Sequence, residues 1–155
     1  MKLGLTEEQV LLRESFAKLL RAESTPARVR AAEPLGHDSE LWISLVVFGI
    51  PAMRVPEAAG GGNMSLLDAA LIAEEAGRHL ASAPLIESIV AARLLAELGG
   101  EGLDWCKKMI AGEAIVGLAL HEAGIRPEQL VPGAAVVDGI LYLDEDEVEI
   151  GRAHV

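Results

Sequence analysis

The sequence has 155 residues, of which 51% are apolar and only 3% aromatic, so aliphatic side chains must fill the core of one domain or slightly more. Its formal net charge of -11 argues against nucleic-acid binding and against adsorption to an anionic membrane, since both need clustered Lys and Arg. With a single cysteine, no apolar run of membrane-spanning length and no signal-peptide pattern, the sequence predicts a cytoplasmic protein.

Signals for helix starts follow one another through the first fifty residues. Residues 6–9, Thr-Glu-Glu-Gln, have the pattern of a capping box and predict a helix over 7–23. Pro26 stands where a first helical position would be and predicts a short second helix. Asp38 or Ser39 can cap a third helix, which ends at the Gly-Ile-Pro that follows.

Three more helices are predicted after a glycine-rich connection. Ser65 caps a fourth helix that reaches about Ala76 and stops at Gly77. Its residues are apolar on nearly every face, which is typical of a helix buried among others. A proline can open a fifth helix over 84–98, and a sixth is predicted over 103–111.

The pattern changes after residue 113, where strand-forming residues take over. Short strands are predicted over 114–120, 134–137, 140–143 and 148–150. Asp138-Gly139 has the composition of a hairpin turn.

Helices followed by strands favour an α domain and then a β domain over an alternating fold. The predicted fold class is mainly α, a six-helix N-terminal bundle followed by a partial, small β domain. We place the domains at residues 1–112 and 113–155. Because so few strands leave exposed sheet edges, we also expect further chain beyond Val155.

Two features could have a catalytic or binding role, namely a glycine-rich run and the single cysteine, but a structural role is favoured for each. The glycines at 60–62 with Asn63 precede a helix and could bind an anion, yet the phosphate-loop pattern is absent, so a loop with positive φ angles is favoured. Cys106 has no histidine nearby in sequence, which favours a packed thiol over a nucleophile.

Acidic residues and histidines give no stronger signal. The four histidines lack the spacing of a metal site. The run 144–149 could bind calcium, but a solvated strand edge or hairpin is favoured. Glu74 and Glu75 could act as acid and base, but adjacent helical residues point about 100° apart, so at least one is expected to be solvated or paired.

Several segments together resemble the acyl-CoA dehydrogenase family. Three segments match the family in order and spacing. They are the opening helix over 5–16, the helix over 65–78, and between them the stretch over 41–51, from Leu-Trp to Gly-Ile-Pro, with the Val-Pro-Glu-Ala-Ala-Gly-Gly that follows it. The resemblance covers residues 3 to about 120. It implies a helical N-terminal domain, a β middle domain and a helical C-terminal domain, with FAD bound and an acyl-CoA oxidised between its α and β carbons.

The resemblance also implies site residues. The flavin-contacting loop of the family corresponds to residues 119–124, so Leu120, His121 and Glu122 are the candidates near FAD. His121 stands where the family usually has Thr, Ala123 where it has Pro, and no Gly-Ser-Asp follows, which argues against FAD binding by this chain alone. The catalytic base of the family is a Glu of the C-terminal domain, so no catalytic residue is expected here.

The fifth helix corresponds to helices that wall the acyl pocket in the family. Glu87, Ser88 and Ala91 are therefore candidate substrate-binding residues, with ordinary helix packing as the alternative. The run 80–88 resembles a subgroup that forms the smaller subunit of mixed bacterial enzymes acting on bulky or dicarboxylic acyl-CoAs. The implied partners are acyl-CoA, other subunits in a homo- or hetero-oligomer, and electron-transfer flavoprotein.

Two further interpretations remain open at this point. One is a non-catalytic helical subunit that packs against an active partner, which fits the absent base and the altered flavin loop. The other is an acyl-CoA oxidase or flavin monooxygenase of the same fold, whose distinguishing residues would lie downstream.

Overall fold

The computed structural model describes residues 4–126, 128–145 and 147–152, and in them six α-helices precede three strands. The elements are α1 (Glu7–Glu23), α2 (Pro26–Ala32), α3 (Ser39–Phe48), α4 (Leu66–Arg78), α5 (Leu85–Leu98), α6 (Gly100–Ala111), β1 (Val116–Leu118), β2 (Gly139–Asp144) and β3 (Glu147–Arg152). This order confirms the predicted mainly-α fold, a six-helix bundle followed by a small, partial β region. None of the described helices is both long enough and apolar enough to cross a membrane.

Local capping explains where the helices begin. At α1 the Thr6 hydroxyl accepts from the Gln9 amide at 3.2 Å, and the Gln9 side chain accepts from the Thr6 amide at 3.1 Å, so both halves of the capping box form. Ser65 and Asp68 repeat the arrangement at α4. The predicted starts of these two helices are confirmed because the signals that set them lie within four residues of each other.

Two predicted helix boundaries are wrong. Gly77 does not stop α4 but lies inside it, and the helix ends at Arg78. A solvent-exposed glycine costs a helix only about 1 kcal/mol relative to alanine, so it does not end a helix whose other face is anchored in the core. The α6 helix begins at Gly100 rather than Leu103, after Gly99 turns the chain with a φ of 68°.

The sheet differs from the prediction in its connections. Strand β1 pairs parallel with β2, and β2 pairs antiparallel with β3. The predicted hairpin turn at Asp138-Gly139 is wrong, because it would join 134–137 to 140–143, whereas β2 begins at Gly139 and pairs with β1 and β3. Instead, Asp138 accepts from the Ile115 amide at 2.9 Å and aligns the two strands.

Residues 134–136 form a 3-10 turn and not the predicted strand, so only Val137 of that run is extended. The reversal between β2 and β3 comes at Glu145, whose φ is 51°. The exposed acidic residues around this reversal confirm the solvated hairpin predicted for the acidic run, within the residues that the structure describes.

Two hydrophobic clusters share helix α5. The first joins α1, α3, α4 and the start of α5, and its fully buried side chains include Phe16, Leu41 and Ile72. The second joins α5 and α6 to β1 and β2 through Ala91, Leu95 and residues of the strands. Small side chains on the inner face of α5 let it lie against β1, so α5 links the helical bundle to the sheet.

Candidate functional site

The glycine-rich loop over 60–63 is a structural connection and not an anion site. The amides of Gly61, Gly62 and Asn63 donate to carbonyl oxygens of Pro56, Ala52 and Val55 at 2.9–3.1 Å, so they are not available to a phosphate. Gly60 has a φ of 88°, as the sequence predicted for this loop.

Cys106 is a packed thiol on α6. Its side chain is fully buried in the second cluster, and burial raises the pKa of the thiol, which disfavours the reactive thiolate. This confirms the packing role predicted for Cys106.

The acidic pair of α4, Glu74 and Glu75, lies beside a cation, in agreement with the solvated or paired role predicted for at least one of them. Glu74 forms an ion pair with Arg78, and Glu75 is buried within 3.8 Å of the same guanidinium. Across the part of the chain that the structure describes, no three His, Cys, Asp or Glu side chains are placed to hold a metal.

The segment that follows β1 places Leu120, His121 and Glu122 together at the surface. Leu120 is 75% exposed, the His121 side chain is exposed and Glu122 is half-buried. The side-chain amide of Gln129 holds this segment in place. It accepts from the His121 amide at 3.0 Å and donates to the His121 carbonyl at 2.9 Å.

The three candidate residues of α5 lie in different environments. Ser88 and Ala91 are fully buried on the inner face of the helix, so neither is open to a ligand from solvent. The Ser88 hydroxyl is buried and has no hydrogen-bond partner among the described residues. Glu87 is half-buried and lines a depression of about 190 Å³ with Pro132 and Gly133.

The outer face of α5 carries a feature that the sequence analysis missed. Ile86, Val90, Leu94 and Leu98 recur every four residues and are each 39–54% exposed, and we call this set the α5 stripe. The N-terminal half of the stripe borders a groove of about 140 Å³ between α4 and α5, whose other residues are mostly alanine and leucine of α4. An i, i+4 count of the apolar residues of α5 that starts at Ile86 would have revealed it.

Comparison with known proteins identifies the family. Residues 6–113 match the family model described as acyl-CoA dehydrogenase, N-terminal domain. This chain belongs to the acyl-CoA dehydrogenase family.

Curated acyl-CoA dehydrogenases are similar over much of the chain. The acyl-CoA dehydrogenase IpdE2 of Mycobacterium tuberculosis is 35% identical over 130 residues, which are 82% of this chain and 39% of that protein. The IpdE2 of Mycolicibacterium smegmatis is 39% identical over 98 residues, 61% of this chain and 32% of that protein. Benzylmalonyl-CoA dehydrogenase of Aromatoleum aromaticum is 27% identical over the whole chain and 43% of its own length.

Solved acyl-CoA dehydrogenase structures share the fold. A chain of the ChsE4-ChsE5 complex from Mycobacterium tuberculosis matches with a TM-score of 0.81 and 25% identity, covering 99% of this chain and 49% of that one. A chain of the Tcur3481-Tcur3483 steroid ACAD G363A variant matches with a TM-score of 0.69 and 28% identity, covering 93% of this chain and 39% of that one. The present chain thus spans about a third to a half of the relatives that it matches.

The candidate loop of this acyl-CoA dehydrogenase chain fits one part of FAD, the cofactor that its family implies. Exposed Leu120 and the imidazole of His121 offer an apolar contact and a flat polar ring to a planar isoalloxazine. A pyrophosphate group needs cations or converging amides, and Arg126 is the only Lys or Arg between residues 119 and 138. The residues present therefore fit the flavin ring and not the pyrophosphate.

Proposed function

We propose that this chain is part of an FAD-dependent acyl-CoA dehydrogenase that oxidises an acyl-CoA thioester between its α and β carbons. The observation that supports this most directly is the apolar α5 stripe beside its groove, on the helical domain that defines the family. An apolar acyl chain needs a surface of this kind to leave water. When bound, FAD supplies the redox chemistry.

The residues of this chain have binding roles in the proposal and no catalytic one. Leu120 and Glu122 border the flavin ring, and His121 presents its imidazole there while Gln129 fixes its main chain. Ser88 and Ala91 pack the buried face of α5 against the core, and Glu87 lies in the first turn of this helix. The proton-accepting Glu belongs, in this proposal, to the C-terminal domain of the family.

The remaining proposals concern the assembly. One similar solved structure is a complex of two named proteins, which supports a hetero-oligomer here, and another is called a steroid ACAD, which supports a bulky acyl-CoA as substrate. We propose electron-transfer flavoprotein as the electron acceptor, the cytoplasm as the location, and a division into domains at residues 112 and 113.

Flavin titration tests the proposal. Adding lumiflavin, the flavin ring without the pyrophosphate, to the purified chain should quench flavin fluorescence, and Leu120→Asp should weaken that binding by about tenfold, because a carboxylate would face the ring. Leu130→Asp is the matched control, since Leu130 lies in the same connection and is 99% exposed.

A chain that takes up no flavin would contradict the FAD contact and favour the second candidate, a non-catalytic helical subunit. The absence of a pyrophosphate site in residues 119–126 is the observation that favours this alternative. Quenching that Leu120→Asp and Leu130→Asp reduce equally would place the flavin elsewhere on the chain.

A further inference from the structure

A depression of about 490 Å³ lies where the carboxyl ends of α1, α2 and α4 meet. Each of these helices contributes an arginine of its last turn to the wall, namely Arg21, Arg30 and Arg78. None of the described residues in the wall is an Asp or Glu, and Val29 and Leu80 add apolar side chains. We call this site the arginine depression. Its cations and apolar contacts favour an anionic occupant that also carries apolar side chains.

Two of the three arginines have charge available for a partner. Arg21 and Arg30 are exposed, and neither forms an ion pair with a described residue. Arg78 differs, since it pairs with Glu74. The dipoles of the three helices favour cations at these ends, but at exposed positions the effect is small and neutralises no charge. A carboxylate brought to the depression would therefore meet two unpaired guanidinium groups.

Leu80, at the edge of the depression, has a backbone conformation that favours glycine. Its φ is 50°, its amide donates to the Gly77 carbonyl at 3.2 Å, and the Ala81 amide donates to the Ala76 carbonyl at 3.0 Å. These bonds form the Schellman motif that ends α4, with leucine at the left-handed position where glycine is usual. The Leu80 side chain is also 68% exposed. Helix dipoles do not account for a strained and exposed leucine, whereas burial against a partner would stabilise it.

The reversal between β2 and β3, residues 143–148, has the complementary chemistry. Asp144, Glu145 and Glu147 are exposed, and none of them forms an ion pair with a described residue. Leu143 and Val148 are 40% and 44% exposed and lie opposite each other in the strand register, so their side chains share one face. Clustered carboxylates beside an apolar pair match arginines beside a leucine.

We propose that the arginine depression of one copy of this chain binds the β2–β3 reversal of a second copy. The carboxylates of the reversal accept hydrogen bonds from Arg21 and Arg30, in the charge-assisted geometry that guanidinium favours. Leu80 packs against Leu143 and Val148. No described ion pair joins the two regions within one chain, so the partner is another copy. Each copy has both halves of the contact, which allows a pair related by a two-fold axis.

This contact goes beyond the proposed function. It joins two identical chains, whereas the assembly proposed above joins this chain to a different protein. It also requires neither flavin nor acyl-CoA. Its failure would therefore leave the flavin and thioester contacts standing, and their failure would leave this contact standing.

Sedimentation velocity of the purified chain gives the first test. The chain should self-associate at about 50 mM NaCl, and its dissociation constant should rise at least about tenfold at about 500 mM, because salt screens exposed charge pairs. A chain that stays monomeric at the lower salt concentration would overturn the inference. Self-association that is independent of salt would overturn it as well.

Charge reversal gives the second test. Arg21→Glu with Arg30→Glu reverses the depression, and Asp144→Lys with Glu147→Lys reverses the β2–β3 reversal. Each double variant alone should lose self-association by at least about a hundredfold, because like charges then face each other. An equimolar mixture of the two should associate again, since every contact between unlike variants pairs opposite charges. Renewed association also shows that both variants are folded.

Two further variants complete the design. Arg21→Gln with Arg30→Gln removes the charges without reversing them, should weaken self-association at least about tenfold, and decides the matter if the Glu variant unfolds. Lys107→Glu with Lys108→Glu is the matched control, since it changes the net charge as much as the Glu variant does, at exposed positions of α6 outside the depression. Equal weakening by the control, or folded variants that fail to associate when mixed, would overturn the contact.

Discussion

Among single residues, Gly61 is the position where the fold depends most on the absence of a side chain. A Cβ added there would overlap the main-chain oxygen and the Cβ of Val55, and neither can move without breaking the loop. We expect Gly61→Ala to lower the free energy of unfolding by about 2–3 kcal/mol, measured by urea denaturation. Gly77→Ala is the control, because a Cβ there meets no atom within 4 Å and should stabilise α4 by about 0.5–1 kcal/mol. Equal effects of the two substitutions would contradict this account.

The second prediction concerns Asp38 and the dependence of the free energy of unfolding on pH. Its carboxylate accepts from Arg28 at 2.6 and 2.8 Å and caps α3 through the Glu40 and Leu41 amides, and the Arg28 bond is the main cause that lowers the pKa of Asp38. A lowered pKa means that the stabilisation is complete above the unfolded-state pKa of about 4 and is lost as the pH falls through the folded-state value.

Asp38→Asn keeps the cap but removes the charge, so it isolates the pair with Arg28. At pH 7 we expect it to cost about 1 kcal/mol of unfolding free energy. Thermal or urea unfolding from pH 7 to pH 2.5 should show the two proteins converging below about pH 4. A difference that stays constant down to pH 2.5 would mean that the charge contributes nothing.

At the scale of elements, α5 has two apolar faces with different roles. Leu95 is fully buried between α6 and the sheet, while its neighbour Leu94 lies on the α5 stripe and is 39% exposed. Leu95→Ala should therefore cost about 2–5 kcal/mol of unfolding free energy, and Leu94→Ala less than about 1 kcal/mol. Leu94→Ala is the control for Leu95→Ala, because the same atoms are removed at the adjacent position. Similar losses would show that the stripe is part of the core.

The elements also show what a sequence can predict. The starts of α1 and α4 were predicted correctly because each capping box is closed by side chains three residues apart. The parallel pairing of β1 with β2 joins residues more than twenty positions apart, for example Val116 with Gly139. No local pattern records such a pairing, so the sequence alone could not indicate that the strand after Asp138-Gly139 pairs with β1 and not with residues 134–137.

For the molecule as a whole, the family could be predicted from the sequence but the groove could not. The motifs that indicate the family are contiguous runs, such as 41–51 and 65–78. The groove needs Arg54 to approach α4 and α5 from a separate segment, which only the folded chain shows. The candidate residues Ser88 and Ala91 were chosen by position along α5, whereas exposure depends on which face the sheet covers.

The sheet and the helical bundle should differ in local stability. Strand β3 pairs only with β2 in the described chain, and Glu147, Val148 and Glu149 are exposed, whereas α5 lies between two buried clusters. Local opening exposes little apolar surface in β3 and much in α5, so opening β3 costs less free energy. In hydrogen exchange, peptides covering 147–152 should exchange at least about a hundredfold faster than peptides covering 85–98, a difference of about 3 kcal/mol. Equal protection of the two segments would show that the strands unfold only with the helices, and the β region would then be an integral part of one cooperative unit.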